Sequence, residues 1–222
     1  MSSLADLTLW LLTTLVEIIV VYLFIIQGLF RKFLFLSFYF LLSVTISIGR
    51  CAIYHYDVWS VFYFHFYYFT DALLSVFLFL SVCELSVRLV GTKMCRQKVA
   101  LWSTGAFLAA AWLSFSVLSS SVSRLAAHFA AELSHNILFA CCLAIVLLWA
   151  WRLRNDPEDW IAARFVSVLS VYLALFLLTY GVRELAPRNS SLDSLYSMMG
   201  VWLPLGSGFA LVSFQQPGRT NP

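Results

Sequence analysis

Charge is what this sequence has least of. Only 11% of its 222 residues are Asp, Glu, Lys or Arg, against about 25% in an average soluble domain. Too few charged side chains remain to build a hydrated shell, which excludes a water-soluble globule. Paired cysteines are missing as well: Cys51, Cys83, Cys95, Cys141 and Cys142 contain no CxxC spacing, which argues against a disulfide framework or a zinc cluster. The chain has no Walker lysine loop, no GxSxG and no HExxH, so the commonest signatures of nucleotide binding and hydrolysis are absent. Its net charge of +3 is not gathered in a way that implies nucleic-acid binding. Nor does the N-terminus read as a cleavable signal: residues 1–8 carry no positive charge, Asp6 is acidic, and no small-x-small site follows the apolar run.

What the chain has in abundance is long apolar runs. Hydrophobic residues make up 62% of it and the mean hydropathy is +0.88. The runs fall at about 8–30, 33–53, 59–81, 99–118, 128–150, 160–181 and 195–214. Each is long enough to cross the roughly 30 Å of bilayer hydrocarbon, where a segment must satisfy its own backbone polar groups. The expectation is an all-α polytopic membrane bundle of seven transmembrane helices, forming one domain over residues 1–222. The third run continues to Val90, which predicts a helix longer than the bilayer, projecting past the interface with Glu84 and Arg88 paired at i,i+4. The fifth is expected to begin near Ser123. Gly91 suits a C-terminal cap, and Asp156 followed by Pro157 suits the start of the sixth helix. Pro204, Gly206 and Gly208 predict a kink in the seventh. On the fourth, Gly105 and Ala109–Ala111 offer a small face for close packing.

The basic residues give the runs a direction. Arg31, Lys32, Arg88, Lys93, Arg96, Lys98, Arg152, Arg154, Arg164 and Arg219 fall on one side of a seven-span layout. Arg50, Arg124, Arg183 and Arg188 fall on the other. Positive charge is retained on the cytoplasmic side, so the N-terminus is predicted outside and the C-terminus inside. Asn189-Ser190-Ser191 then places a glycosylation sequon on the outer side.

Ionisable groups at membrane depth are costly and are functional candidates by default. Glu17 and Asp71 are the foremost, as proton carriers or cation counter-charges. The alternative is a neutral carboxyl hydrogen-bonded to a neighbour, holding helices in register. Val61–Asp71 places seven Phe and Tyr rings and His65 ahead of Asp71. Tyr67 and Tyr68 fit a headgroup-level belt, and the same run could wall a site for an apolar or cationic ligand with Asp71 at its base. Ser43, Ser47 and Arg50 share a face of the second helix. Arg50 either snorkels to the interface or neutralises Asp57 or Asp71. His128, Glu132 and His135, with Arg124 on the same face and Asn136 beside it, could supply three ligands to a divalent metal; His65 and His135 could clamp a haem. No cofactor motif requires either.

Gly28-Leu29-Phe30-Arg31-Lys32 closes the first run, and an aromatic-rich third run ends in acids (Tyr67, Tyr68, Asp71, then Glu84). This layout resembles a set of uncharacterised bacterial seven-helix membrane proteins. It is also similar to the seven-span sensor modules placed ahead of bacterial kinases and cyclases. The resemblance implies a bacterial inner-membrane protein with a sensor-like role and brings no catalytic residue with it. Three functional expectations follow. The first is a non-enzymatic module that binds a small or lipid-like ligand, or a membrane partner, in the outer half of the bundle. The second is a small proton-coupled carrier using Glu17 and Asp71, with Pro204 to Gly208 as a gate. The third is a membrane metal- or haem-binding protein.

Overall fold

The computed structural model describes residues 4–56, 61–90, 93–118, 125–154, 160–185 and 205–206. Among them are six helices: α1 (Leu4–Ile26), α2 (Leu34–Tyr56), α3 (Val61–Val90), α4 (Lys93–Leu118), α5 (Leu125–Arg154) and α6 (Trp160–Leu185). Four carry segments long and apolar enough to cross a membrane: Leu34–Ile53, Phe62–Leu89, Gln97–Ser116 and Ala127–Trp151. Shorter apolar stretches occupy α1 (Leu11–Ile26) and α6 (Ile161–Leu175). The run at 195–214 lies outside the described residues apart from Leu205 and Gly206, which are helical. The expected caps at Gly91 and Asp156, the start near Ser123, Asp57, Arg124, the sequon at Asn189, Pro204 and Gly208 also lie outside them.

Large apolar side chains lie on the outer surface as well as in the core, and small polar ones are buried among them. Thr14, Glu17, Ser37, Ser43, Ser75, Ser81, Ser86, Ser114 and Ser134 are buried, while Leu101, Trp102, Trp112 and Leu147 are at least 70% exposed. An outer surface of this kind is unfavourable in water and unremarkable against lipid tails. Several of the inward serines return their hydroxyl to the carbonyl four residues back. Examples are Ser37 to Phe33 (2.6 Å), Ser81 to Phe77 and Ser86 to Val82 (both 2.7 Å). That bond satisfies the hydroxyl locally and lets it lie in an apolar interface. α4 is the most peripheral of the four long spans. It turns Ala110 and Ser114 inward, whereas Gly105 faces open space.

α1 stops at Ile26, short of the expected boundary at residue 30, for a local reason. Gly28 takes a φ of +65°, Leu29 N–H donates to Phe24 C=O (3.0 Å) and Gly28 N–H to Ile25 C=O (3.1 Å). This is the Schellman arrangement, in which a glycine in the left-handed region lets the chain turn back over the last carbonyls. Any L side chain there costs about 1–2 kcal/mol. Leu29 and Phe24, the apolar pair that accompanies the motif, are both buried.

α3 and α5 form the central pair of the bundle. α3 also packs on α2, α4 and α6, α5 on α4 and α6, and α1 on α2. Near the α1–α2 turn the interior is aromatic: Phe24 lies 6.1 Å from Phe40 and 5.7 Å from Phe165, and Phe33 lies 5.2 Å from Phe165, ring centre to ring centre. All four rings are fully buried. Hydrogen bonds between side chains of different helices collect towards the other end.

Candidate functional site

α2 and α3 meet closely at Gly49, where Phe66 packs so near that an added methyl group would stand 3.3 Å from its ring. The next residue, Arg50, turns into that contact. Its Nε and Nη2 donate to Thr70 Oγ1 at 3.1 and 2.7 Å, and Nη2 also donates to Tyr67 C=O at 3.0 Å. The guanidinium lies 4.3 Å above the Tyr67 ring, adding a cation–π contact. Asp71 Oδ1 lies 3.9 Å from Nη2, an ion pair beyond hydrogen-bonding distance. Arg50 therefore stands beside Asp71, a placement that fits the second of its two expected roles.

The other oxygen of Asp71 belongs to α5. Ser134 Oγ donates to Asp71 Oδ2 at 2.8 Å, Ser134 and Ser75 hydroxyls lie 2.7 Å apart, and Ser75 donates to Asp71 C=O at 3.0 Å. Arg50, Thr70, Asp71, Ser75 and Ser134 are thus one junction across three helices. Two residues further along α5, Asn136 donates to Ser114 of α4 at 2.9 Å, extending the polar contacts to a fourth helix. Interhelical hydrogen bonds in membranes average about 0.6 kcal/mol each, so the junction orients helices more than it stabilises them.

Glu17 lies apart from Asp71, in the α1–α2 interface. Its Oε1 accepts from Ser43 Oγ at 2.7 Å; its Oε2 is buried without a hydrogen-bond partner. One turn before Ser43, the buried Tyr39 hydrogen-bonds Tyr172 of α6 and lies within electrostatic reach of both Glu17 and Asp71. The two carboxyls therefore flank a common tyrosine pair rather than share one contact.

The aromatic run of α3 packs largely on itself. Phe62 stacks on Phe66 (6.2 Å), Tyr63 meets Tyr67 (6.4 Å), and Tyr68 is edge-on to Phe64 at 4.6 Å, with His65 edge-on to the same Phe64 at 5.8 Å. Phe62 and Phe69 are more than half exposed. His65 and Tyr68 consequently stand on the aromatic ladder that leads to Asp71.

On α5, His128 is exposed, and Glu132 and His135 are half-buried. Among the described residues no three His, Cys, Asp or Glu side chains are grouped to hold a metal ion. The polar residues that the sequence leaves unflagged are Thr70, Ser75 and Ser134 in the junction, and Tyr39 and Tyr172 beside it. A hydroxyl without an obvious role in an apolar helix is the only signal each offers. The Ser75–Asp71 spacing of four residues is its most specific part.

A second polar centre occupies the opposite end. Glu84 Oε1 and Oε2 accept the first two backbone N–H groups of α2, from Leu34 (2.9 Å) and Phe35 (3.0 Å). Arg88 lies 3.7 Å from Glu84, donates to Lys32 C=O and covers the Phe33 ring at 5.0 Å. The expected i,i+4 pair is present, but it is tied to the α1–α2 turn.

Among known proteins, the chain matches no family model, and no curated protein or solved structure is similar to it.

Proposed function

We propose that this chain is a seven-span inner-membrane protein of a bacterium, N-terminus outside and C-terminus in the cytoplasm. In this reading it acts as a non-enzymatic, sensor-like module that binds a small cationic or lipid-like ligand. The direction rests on the distribution of basic residues: the α1–α2 turn, the end of α3 with the start of α4, and the end of α5 carry eight of the fourteen. α1 and α6, of 23 and 26 residues, would be about 35 and 39 Å long at a rise of 1.5 Å per residue, sufficient to span.

One observation carries the ligand reading. Asp71 is an acid at the foot of an aromatic ladder, with one oxygen fixed by Ser134 and the other 3.9 Å from Arg50 and unbonded. Its side chain is 40% exposed. A carboxylate can accept about four hydrogen bonds. Asp71 retains capacity for a donor approaching along Tyr67 and Tyr68, and an ammonium group supplies both the donor and a charge that favours aromatic faces. Occupation would compete with Arg50 for Asp71 and so change how α2 sits on α3, which is a sensor's requirement.

Native mass spectrometry of protein extracted gently from its host membranes tests this. The expected result is a bound small molecule or lipid on the wild type that is lost from Asp71→Asn and reduced in Tyr68→Ala. Equal loading of all three would remove Asp71 from the site.

A further inference from the structure

α1 turns a narrow face to the bundle: Thr14, Glu17, Val20 and Phe24, all buried and spaced by one turn, while Leu15, Ile18 and Ile19 are exposed. Glu17 is the acid in that face and is only 6% exposed. A carboxylate in such a place needs several donors or a cation. It has one donor, Ser43, and a second oxygen buried with none. Arg50, on the same helix as Ser43, is committed to Thr70, Tyr67 and Asp71. The titratable groups that face this region are Tyr39 from α2, Tyr172 from α6 and Asp71 from α3. The tyrosines carry no positive charge and Asp71 is itself an acid, so none of these compensates an anion at Glu17. α3 and α6 present no lysine or arginine at this level among the described residues.

We propose that Glu17 is a proton-exchange site, in which Oε2 takes up a proton and returns it while Ser43 holds Oε1 in both states. The step is a simple transfer. Hydronium or a protonated water-borne donor gives its proton to Oε2, an O–H bond forms, and the carboxylate becomes a neutral acid; release is the reverse. No oxidation or reduction accompanies it. Neutralisation answers the orphan oxygen directly, because it removes the charge that lacks a partner. A permanently neutral hydrogen-bonding role needs only a glutamine, whereas exchange needs an acid. The site is also one helix deep, since α1 packs on α2 and exposes its opposite face. In the ionised state the unpaired charge must draw in water or loosen α1 from α2, so proton occupancy is coupled to that interface. This proposal does not depend on a ligand at Asp71.

The test is infrared difference spectroscopy of the full chain in lipid nanodiscs across a pH titration. The wild type should show the carbonyl stretch of a protonated carboxylic acid that fades reversibly as pH rises. The band should be missing from Glu17→Gln, retained in Asp71→Asn, and shifted to higher frequency in Ser43→Ala, where Oε1 loses its donor. Should Glu17→Gln fail to fold, the Ser43→Ala shift still identifies the group. A band that persists at every pH would make Glu17 a fixed neutral acid and overturn exchange. So would no carboxylic-acid band, or one that Glu17→Gln and Ser43→Ala leave unaltered.

Discussion

α3 grips α2 at both ends with an arginine, an acid and an aromatic ring. Near the α1–α2 turn, Arg88 lies over Phe33 and beside Glu84; at the far end, Arg50 lies over Tyr67 and beside Asp71. The two grips use the same kinds of side chain but differ in saturation. Both oxygens of Glu84 are taken by backbone N–H groups that the start of a helix leaves without partners. The glutamate also lies at the positive end of the α2 dipole, where a negative charge is favoured. Asp71 has one serine and a distant guanidinium. A closed centre of this kind fixes geometry, whereas an open one can respond to a third party.

The comparison predicts unequal costs for removing the acids. Glu84→Ala should cost about 3 kcal/mol, because it orphans two N–H groups and leaves the largely enclosed Arg88 without its acid. Asp71→Ala should cost about 1 kcal/mol, since its bonds are few and its side chain is half open. Unfolding midpoints in mixed micelles, with increasing denaturing detergent, would show the difference. Equal losses would mean that saturation does not separate the two grips.

Arg50→Lys sharpens the same contrast. Arg50 uses two nitrogens on Thr70 and one of them again on Tyr67 C=O, while its plane lies on the Tyr67 ring. A lysine keeps the charge and loses the fork and the stacking. It should lose about 1 kcal/mol of stability, roughly as much as Arg50→Ala, because charge alone contributes little at 3.9 Å from Asp71. If Arg50→Lys matched the wild type instead, the ion pair would be the working contact and the Thr70 fork incidental.

These centres also show what a linear sequence makes legible. The helices follow from apolar length alone, since a backbone in lipid has no other way to satisfy itself. The end of α1 follows from one backbone conformation at Gly28 and lies four residues inside the hydropathy boundary. Glu17 and Asp71 stand out as acids in apolar runs, and the Arg50–Asp71 pairing is one of two readings that the sequence allows. The cap on α2 is not legible. Phe33 cannot cap, and the carboxylate that does so comes from a residue 50 positions beyond Leu34. Ser75 and Ser134 are hidden for a similar reason. Most buried serines here bond their own helix, and nothing local distinguishes the ones that cross to another. The His128, Glu132 and His135 stripe is the converse case: a regular spacing on one helix says nothing of whether a fourth group completes it.

Ser134→Ala carries the smallest effect and isolates the open grip most cleanly. It deletes the donor to Asp71 Oδ2 and the contact with Ser75, the hydrogen bonds that join the junction to α5. Ser75 keeps its bond to Asp71 C=O, so no hydroxyl is stranded. A loss near 0.6 kcal/mol is expected, the mean for an interhelical bond in a membrane. Binding at the junction should respond more than stability does, because Asp71 then loses the contact that orients it. A cycle combining Ser134→Ala with Asp71→Asn measures the coupling. A coupling energy near zero would mean that Ser134 does not hold Asp71, and that the grip ends at α3.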